Sequence, residues 1–141
     1  MSLEVIVYVL TALAAVVVVL TRVRLGGEHG GGGALQVGPT LMNVHSVAGV
    51  LALVLWLVFL VAGDDTFLGG EAMGIVALAF WWVTVVAGLL ILVRWMPSRG
   101  RHATTVKSDT WSEGPGLSVL AHVGLLVGVA VFTFAYLTST V

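Results

Sequence analysis

The chain has no cysteine, and only 9% of its 141 residues are charged. The missing cysteine excludes disulfides, thiolate catalysis, iron–sulfur ligation and cysteine-based zinc sites together. The scarcity of charge excludes an ordinary soluble domain, in which about 25% of residues are charged. Net charge is -1. The longest basic cluster is Arg99, Arg101 and Lys107, so nothing points to nucleic-acid binding. A lone lysine beside five arginines, with Val, Ala and Gly in excess, fits a high-GC bacterial genome.

What remains is apolar: 59% of residues fall in the hydrophobic set. Four long stretches carry no charge and are the expected membrane spans, at about 5–21, 41–62, 72–93 and 117–138. Together they use most of the chain, so residues 1–141 are expected to form a single all-α four-helix transmembrane bundle. The start Met1, Ser2, Leu3, Glu4 lacks the basic n-region of a signal peptide, and Arg22 and Arg24 follow the first apolar run instead. That run is therefore read as an uncleaved span.

All six cations fall in two of the three loops: Arg22 and Arg24 after the first span, and Arg94, Arg99, Arg101 and Lys107 after the third. The turn after the second span carries Asp64, Asp65 and Glu71 instead. Because short loops rich in Lys and Arg stay in the cytoplasm, both termini are expected outside it, in a multi-pass protein of the bacterial inner (cell) membrane. Trp95 and Trp111 flank the third loop, and Tyr8 and Tyr136 lie near the opposite ends, as interfacial rings do. Loop one contains six glycines with His29 but no Lys-Ser/Thr pair, so it reads as a tether rather than a phosphate cradle. His102 in loop three reads as solvated.

The starts of spans two and four resemble each other. Gly38-Pro39-Thr40-Leu41 opens one and Gly114-Pro115-Gly116-Leu117 the other, each followed by a histidine, His45 or His122, at matching depth. Duplication of a helical hairpin would produce this pattern, and so would common helix grammar combined with 18 glycines. At 100° per residue, His45, Gly49, Ala52 and Trp56 share a stripe on span two, and Gly74, Ala77, Trp81 and Gly88 share one on span three. Small residues so placed point to close helix packing. Span four carries a GxxxG pair, Gly124 and Gly128, suited either to packing within the bundle or to docking on another protein.

Two readings of the histidines stand beside a pH-sensitive or proton-passing role, which imidazole could serve near its unperturbed pKa of about 6.5. In one, His45 and His122 are axial ligands of a single b-type haem, with Gly49 and Ala52 leaving room on span two and Arg22, Arg24 or Arg94 in reach of the propionates. Leu125, Leu126 and Val129 crowd His122, which counts against it. In the other, each imidazole hydrogen-bonds to Ser46, Ser118 or Asn43, fixes helix register and needs no cofactor. Zinc is disfavoured by a supply of only two intramembrane nitrogens. No Asp, Glu, Lys or Arg lies within a span, which disfavours ion-coupled transport. The carboxylates Asp64, Asp65 and Glu71 are assigned to the membrane face opposite the histidines, so no catalytic constellation is expected.

The runs Phe80-Trp81-Trp82, Leu92 to Pro97, Arg101-His102-Ala103 and Asp109 to Pro115 resemble small four-span membrane proteins of actinobacteria. The resemblance covers the second half of the chain, rests on interfacial anchors and implies a fold without an activity. At the level of class, it suggests a non-catalytic accessory or regulatory subunit of a larger membrane complex, such as a respiratory complex or a Mce-type lipid importer. The lipid bilayer and such a complex are the expected partners; a small b-type cytochrome is the alternative.

Overall fold

The computed structural model describes residues 1–25, 39–63, 65–95 and 115–141. The glycine tether, His29, His102, Trp111, Asp64 and the cations Arg99, Arg101 and Lys107 lie outside the described residues. Among the described residues there are four helices: α1 (Leu3–Leu25), α2 (Pro39–Val61), α3 (Glu71–Trp95) and α4 (Pro115–Leu137). No strand occurs among the described residues.

Two kinds of start alternate along the chain. Helices α1 and α3 carry an acidic side chain in the first turn, Glu4 and Glu71, where it meets the positive end of the helix dipole. Helices α2 and α4 begin on Pro39 and Pro115, where the absent N–H removes no helical bond and the ring pre-sets φ. All four are long and apolar enough to cross a membrane, so the chain is a multi-pass membrane protein in a lipid environment. Its outward face agrees: Leu13, Val16, Val86, Val93, Leu120 and Phe134 are all exposed. In water that surface would be an aggregation hazard, but against lipid tails it is matched.

Each helix packs on the next, and α1 closes against α4. Hence α2 and α4 face each other across the bundle. A short turn between α2 and α3 is held by Thr66, whose hydroxyl donates to the Gly63 carbonyl and accepts from the Gly69 N–H. This turn sets α2 and α3 antiparallel and close. The ends where α1 and α3 begin are called the Glu71 end below, and those where α2 and α4 begin the Pro39 end.

The core is an aromatic block. Trp56, Trp81 and Phe132 are fully buried, with Val7, Ala52, Ala77, Val129 and Ala135 around them. Lipid tails are as apolar as leucine, so contact packing and interhelical hydrogen bonds hold such a bundle. Thr11 and Thr133 supply two of these bonds by one device. Each hydroxyl hydrogen goes to the carbonyl four residues back (Val7, Val129), which frees Oγ1 to accept. Trp56 Nε1 donates to Thr11 Oγ1 at 3.1 Å, tying α2 to α1, and Trp82 Nε1 donates to Thr133 Oγ1 at 3.2 Å, tying α3 to α4.

Helix α1 joins this core only through its first three turns. Val7 and Thr11 are buried, whereas Val16, Val17, Val19 and Leu20 are more than half or about half exposed. A Cβ on Gly124 or Gly128 would meet no described atom within 4 Å. Gly124 is exposed, whereas Gly128 is buried.

Candidate functional site

Helix α2 places His45 about one and two-thirds turns beyond Pro39, on the stripe that also carries Gly49 and buried Ala52 and Trp56. That stripe faces α3. A Cβ on Gly49 would lie 3.4 Å from Thr84 Cγ2, so the two backbones approach closely here. The result is a hydrogen bond from His45 Nδ1 to the Thr84 carbonyl oxygen at 3.0 Å.

A carbonyl oxygen can only accept, so Nδ1 carries the proton. In the neutral imidazole this assigns the lone pair to Nε2. The carbonyl of Thr84 already serves the helix, but a carbonyl has two lone pairs. It points toward residue 88, where glycine has no side chain to cover it. Thr84 directs its own hydroxyl to the Phe80 carbonyl at 2.8 Å, leaving its backbone oxygen to the histidine.

His122 reaches the same place from α4. The two ring centroids are 6.1 Å apart and the ring planes 27° from parallel. Gly88 of α3 is the meeting point: a Cβ there would stand 2.8 Å from His122 Cδ2, 3.0 Å from His45 Cε1 and 3.2 Å from His122 Nε2. Any side chain at position 88 would push the rings away, so the pair depends on this glycine. The structure thus joins three residues singled out from sequence, His45, His122 and Gly88, around one point.

The other small residues serve elsewhere. Gly49 admits Thr84, Ala52 is buried in the core, and Gly74 admits the rings of Tyr136 and Phe59 near the Glu71 end, where the Tyr136 hydroxyl donates to the Glu71 carbonyl at 3.0 Å. Gly124 and Gly128 are on another face. The partner of His45 is Thr84 rather than Ser46 or Asn43, and Asn43 is exposed. Nothing in the sequence marks a backbone carbonyl as an acceptor; the only hint is that Thr84 lies one turn before Gly88 on the same face of α3.

Two nitrogens are too few for an all-protein tetrahedral metal site, and among the described residues no group of three or more His, Cys, Asp or Glu converges. A porphyrin changes that requirement, because it supplies four equatorial nitrogens and asks the protein for two axial ones. An imidazole nitrogen binds a metal at about 2.0–2.1 Å with its ring centre about 1.1 Å behind, so two axial imidazoles hold their centroids about 6.2–6.4 Å apart. The observed 6.1 Å is close to this spacing, but the α3 backbone at Gly88 stands against both rings, so a porphyrin would require them to withdraw from it. The surroundings are apolar: Val85, Leu92 and Val129 are buried and Leu89, Leu125 and Leu126 partly so. Compared with known proteins, the chain matches no family model, no curated protein and no solved structure.

Proposed function

We propose that the chain is a small membrane-embedded b-type cytochrome whose one haem is held by His45 and His122. The supporting observation is the pairing of these rings across the bundle, with His45 Nδ1 anchored on the Thr84 carbonyl; holding a haem would require both rings to withdraw from Gly88. Histidine ligands characteristically donate their second nitrogen to a carbonyl or carboxylate, which fixes the ring and raises its basicity. A haem so bound supplies one-electron oxidation and reduction. Held by both His45 and His122, such a haem would supply electron transfer rather than catalysis. The positions of the cations in the sequence favour both termini lying outside the cytoplasm of a bacterial cell.

The test is an absorbance spectrum of protein produced with ample haem supply, before and after dithionite. A Soret band with sharp α and β bands on reduction is expected, along with loss of both bands in His45→Ala and His122→Ala variants that still fold. Colourless wild-type protein would end this reading.

A second reading concerns assembly and is compatible with the first. Gly124 on α4 favours a subunit that docks on a larger membrane complex, because it is exposed and an added Cβ there would meet no described atom within 4 Å. Mild-detergent purification should then retain a stoichiometric membrane partner. Retention of that partner by Gly124→Leu would exclude this face as the docking surface.

A further inference from the structure

Helix α4 is held unevenly along its length. From Val129 onward it is locked: Val129, Phe132 and Ala135 are buried, Thr133 accepts from Trp82 Nε1, and the Tyr136 hydroxyl donates to the Glu71 carbonyl. From Val119 to Val127 no residue is buried. His122 seats this half on α3: its ring meets His45 at a centroid separation of 6.1 Å and fills the notch at Gly88. Gly128 divides the two halves. It is buried, yet a Cβ there would meet no described atom within 4 Å, and Gly124 lies one turn before it. Two glycines one turn apart are where a helix bends most readily.

The charges around the pair are one-sided. Between their ends, α2 and α4 carry no ionisable side chain except His45 and His122, and α3 meets the rings with Thr84 and Gly88. The described carboxylates Glu4, Asp65 and Glu71 belong to the Glu71 end, about 22–24 Å from the rings at 1.5 Å per residue. The cations Arg22, Arg24 and Arg94 come toward the Pro39 end in the sequence. The ionisable residues of loops one and three beyond these lie outside the described residues. A proton on each imidazole therefore sets two like charges about 6 Å apart with no described carboxylate to offset them.

We infer that the histidine pair is a pH-sensitive latch: protonation of both rings drives them apart, unseats the Pro39 half of α4 from α3 and bends the helix at Gly124 and Gly128, while its Glu71 half stays in place. Imidazole is the side chain that changes charge between about pH 8 and 5, and two such rings pressed against one glycine leave no room to share the repulsion without movement. The latch belongs to the chain without haem and does not rest on the haem reading.

The chain has no cysteine, so spin labels can be placed cleanly on introduced ones. Full-length, haem-free protein in phosphatidylcholine vesicles is labelled at one of two exposed pairs, Leu120→Cys with Val93→Cys near the Pro39 end, or Phe134→Cys with Ile75→Cys near the Glu71 end. Pulsed electron–electron resonance then gives each distance from about pH 8 to 5. Leu120 is about 12 Å along the helix from Gly128, so a bend of about 20° lengthens the first distance by roughly 4 Å. The second distance is expected to stay constant, and it also reports that each variant is folded. His45→Gln and His122→Gln, which cannot take the proton, should each abolish the lengthening. An invariant first distance, lengthening of both pairs together, or lengthening that persists in either glutamine variant would overturn the inference.

Discussion

Replacing Gly88 by alanine adds one methyl where two imidazoles already converge. The new carbon would stand 2.8 Å from His122 Cδ2, 3.0 Å from His45 Cε1 and 3.2 Å from His122 Nε2, against an optimum of about 3.5–4.0 Å between carbons. Relief requires both rings to withdraw by roughly 0.5–1 Å, and His45 cannot do so without stretching its 3.0 Å bond to Thr84. Overpacking of this kind costs about 1–3 kcal/mol, while alanine gains about 1 kcal/mol over glycine in a helix. The expected net change is a destabilisation of up to about 2 kcal/mol. Gly124→Ala is the control, because nothing described lies within 4 Å of its new methyl. Only the helix gain applies there, so that variant should be stabler than the parent by about 0.5–1 kcal/mol. Reversible unfolding in mixed detergent micelles, followed by tryptophan fluorescence, measures both. A Gly88→Ala variant as stable as Gly124→Ala would refute the reasoning, because it would mean the rings do not meet at residue 88.

Other substitutions test the packing around the site. Trp56→Phe removes the indole donor to Thr11 and should cost about 1 kcal/mol beyond its lost area, whereas Trp81→Phe removes a buried N–H that has no partner and should cost less. A reversed ranking in the unfolding assay would contradict the hydrogen-bond assignments. Gly74→Ala would put a methyl 2.5 and 2.9 Å from two Tyr136 ring carbons and 3.1 Å from Phe59. It should free the phenol from the Glu71 carbonyl and destabilise by about 1–3 kcal/mol, so unchanged near-UV circular dichroism would count against it. For docking, Gly124→Leu should release any co-purifying membrane partner while leaving the stability of the isolated chain nearly unchanged, because Gly124 is exposed and an added Cβ there meets nothing described within 4 Å.

The helices could be read from the sequence because their causes are local. Charge-free runs marked the spans, and Pro39 and Pro115 marked two of the starts. The first helix runs longer than the apolar stretch at 5–21, from Leu3 to Leu25, with Glu4 in its first turn, where the helix dipole favours an acid. The matched depth of His45 and His122 was likewise arithmetic on two helices. Their pairing was not, since it depends on how far each helix is rotated, which is settled by Gly49 against Thr84 and by the notch at Gly88. Thr84 was invisible because its contribution is a backbone oxygen that every residue possesses. Gly124 and Gly128 show the converse: the motif is plain, but that Gly124 is exposed and Gly128 buried is set by how the neighbouring helices pass, and no residue on α4 records that.

The central claim is that one iron takes both imidazoles, and low-temperature electron paramagnetic resonance of the oxidised, haem-supplied protein tests it most directly. The account predicts a low-spin ferric signal from two nitrogen axial ligands, lost or converted to high spin when either His45 or His122 is replaced by alanine. A low-spin signal that survives both replacements, or a wild-type protein that takes up no haem, would contradict it.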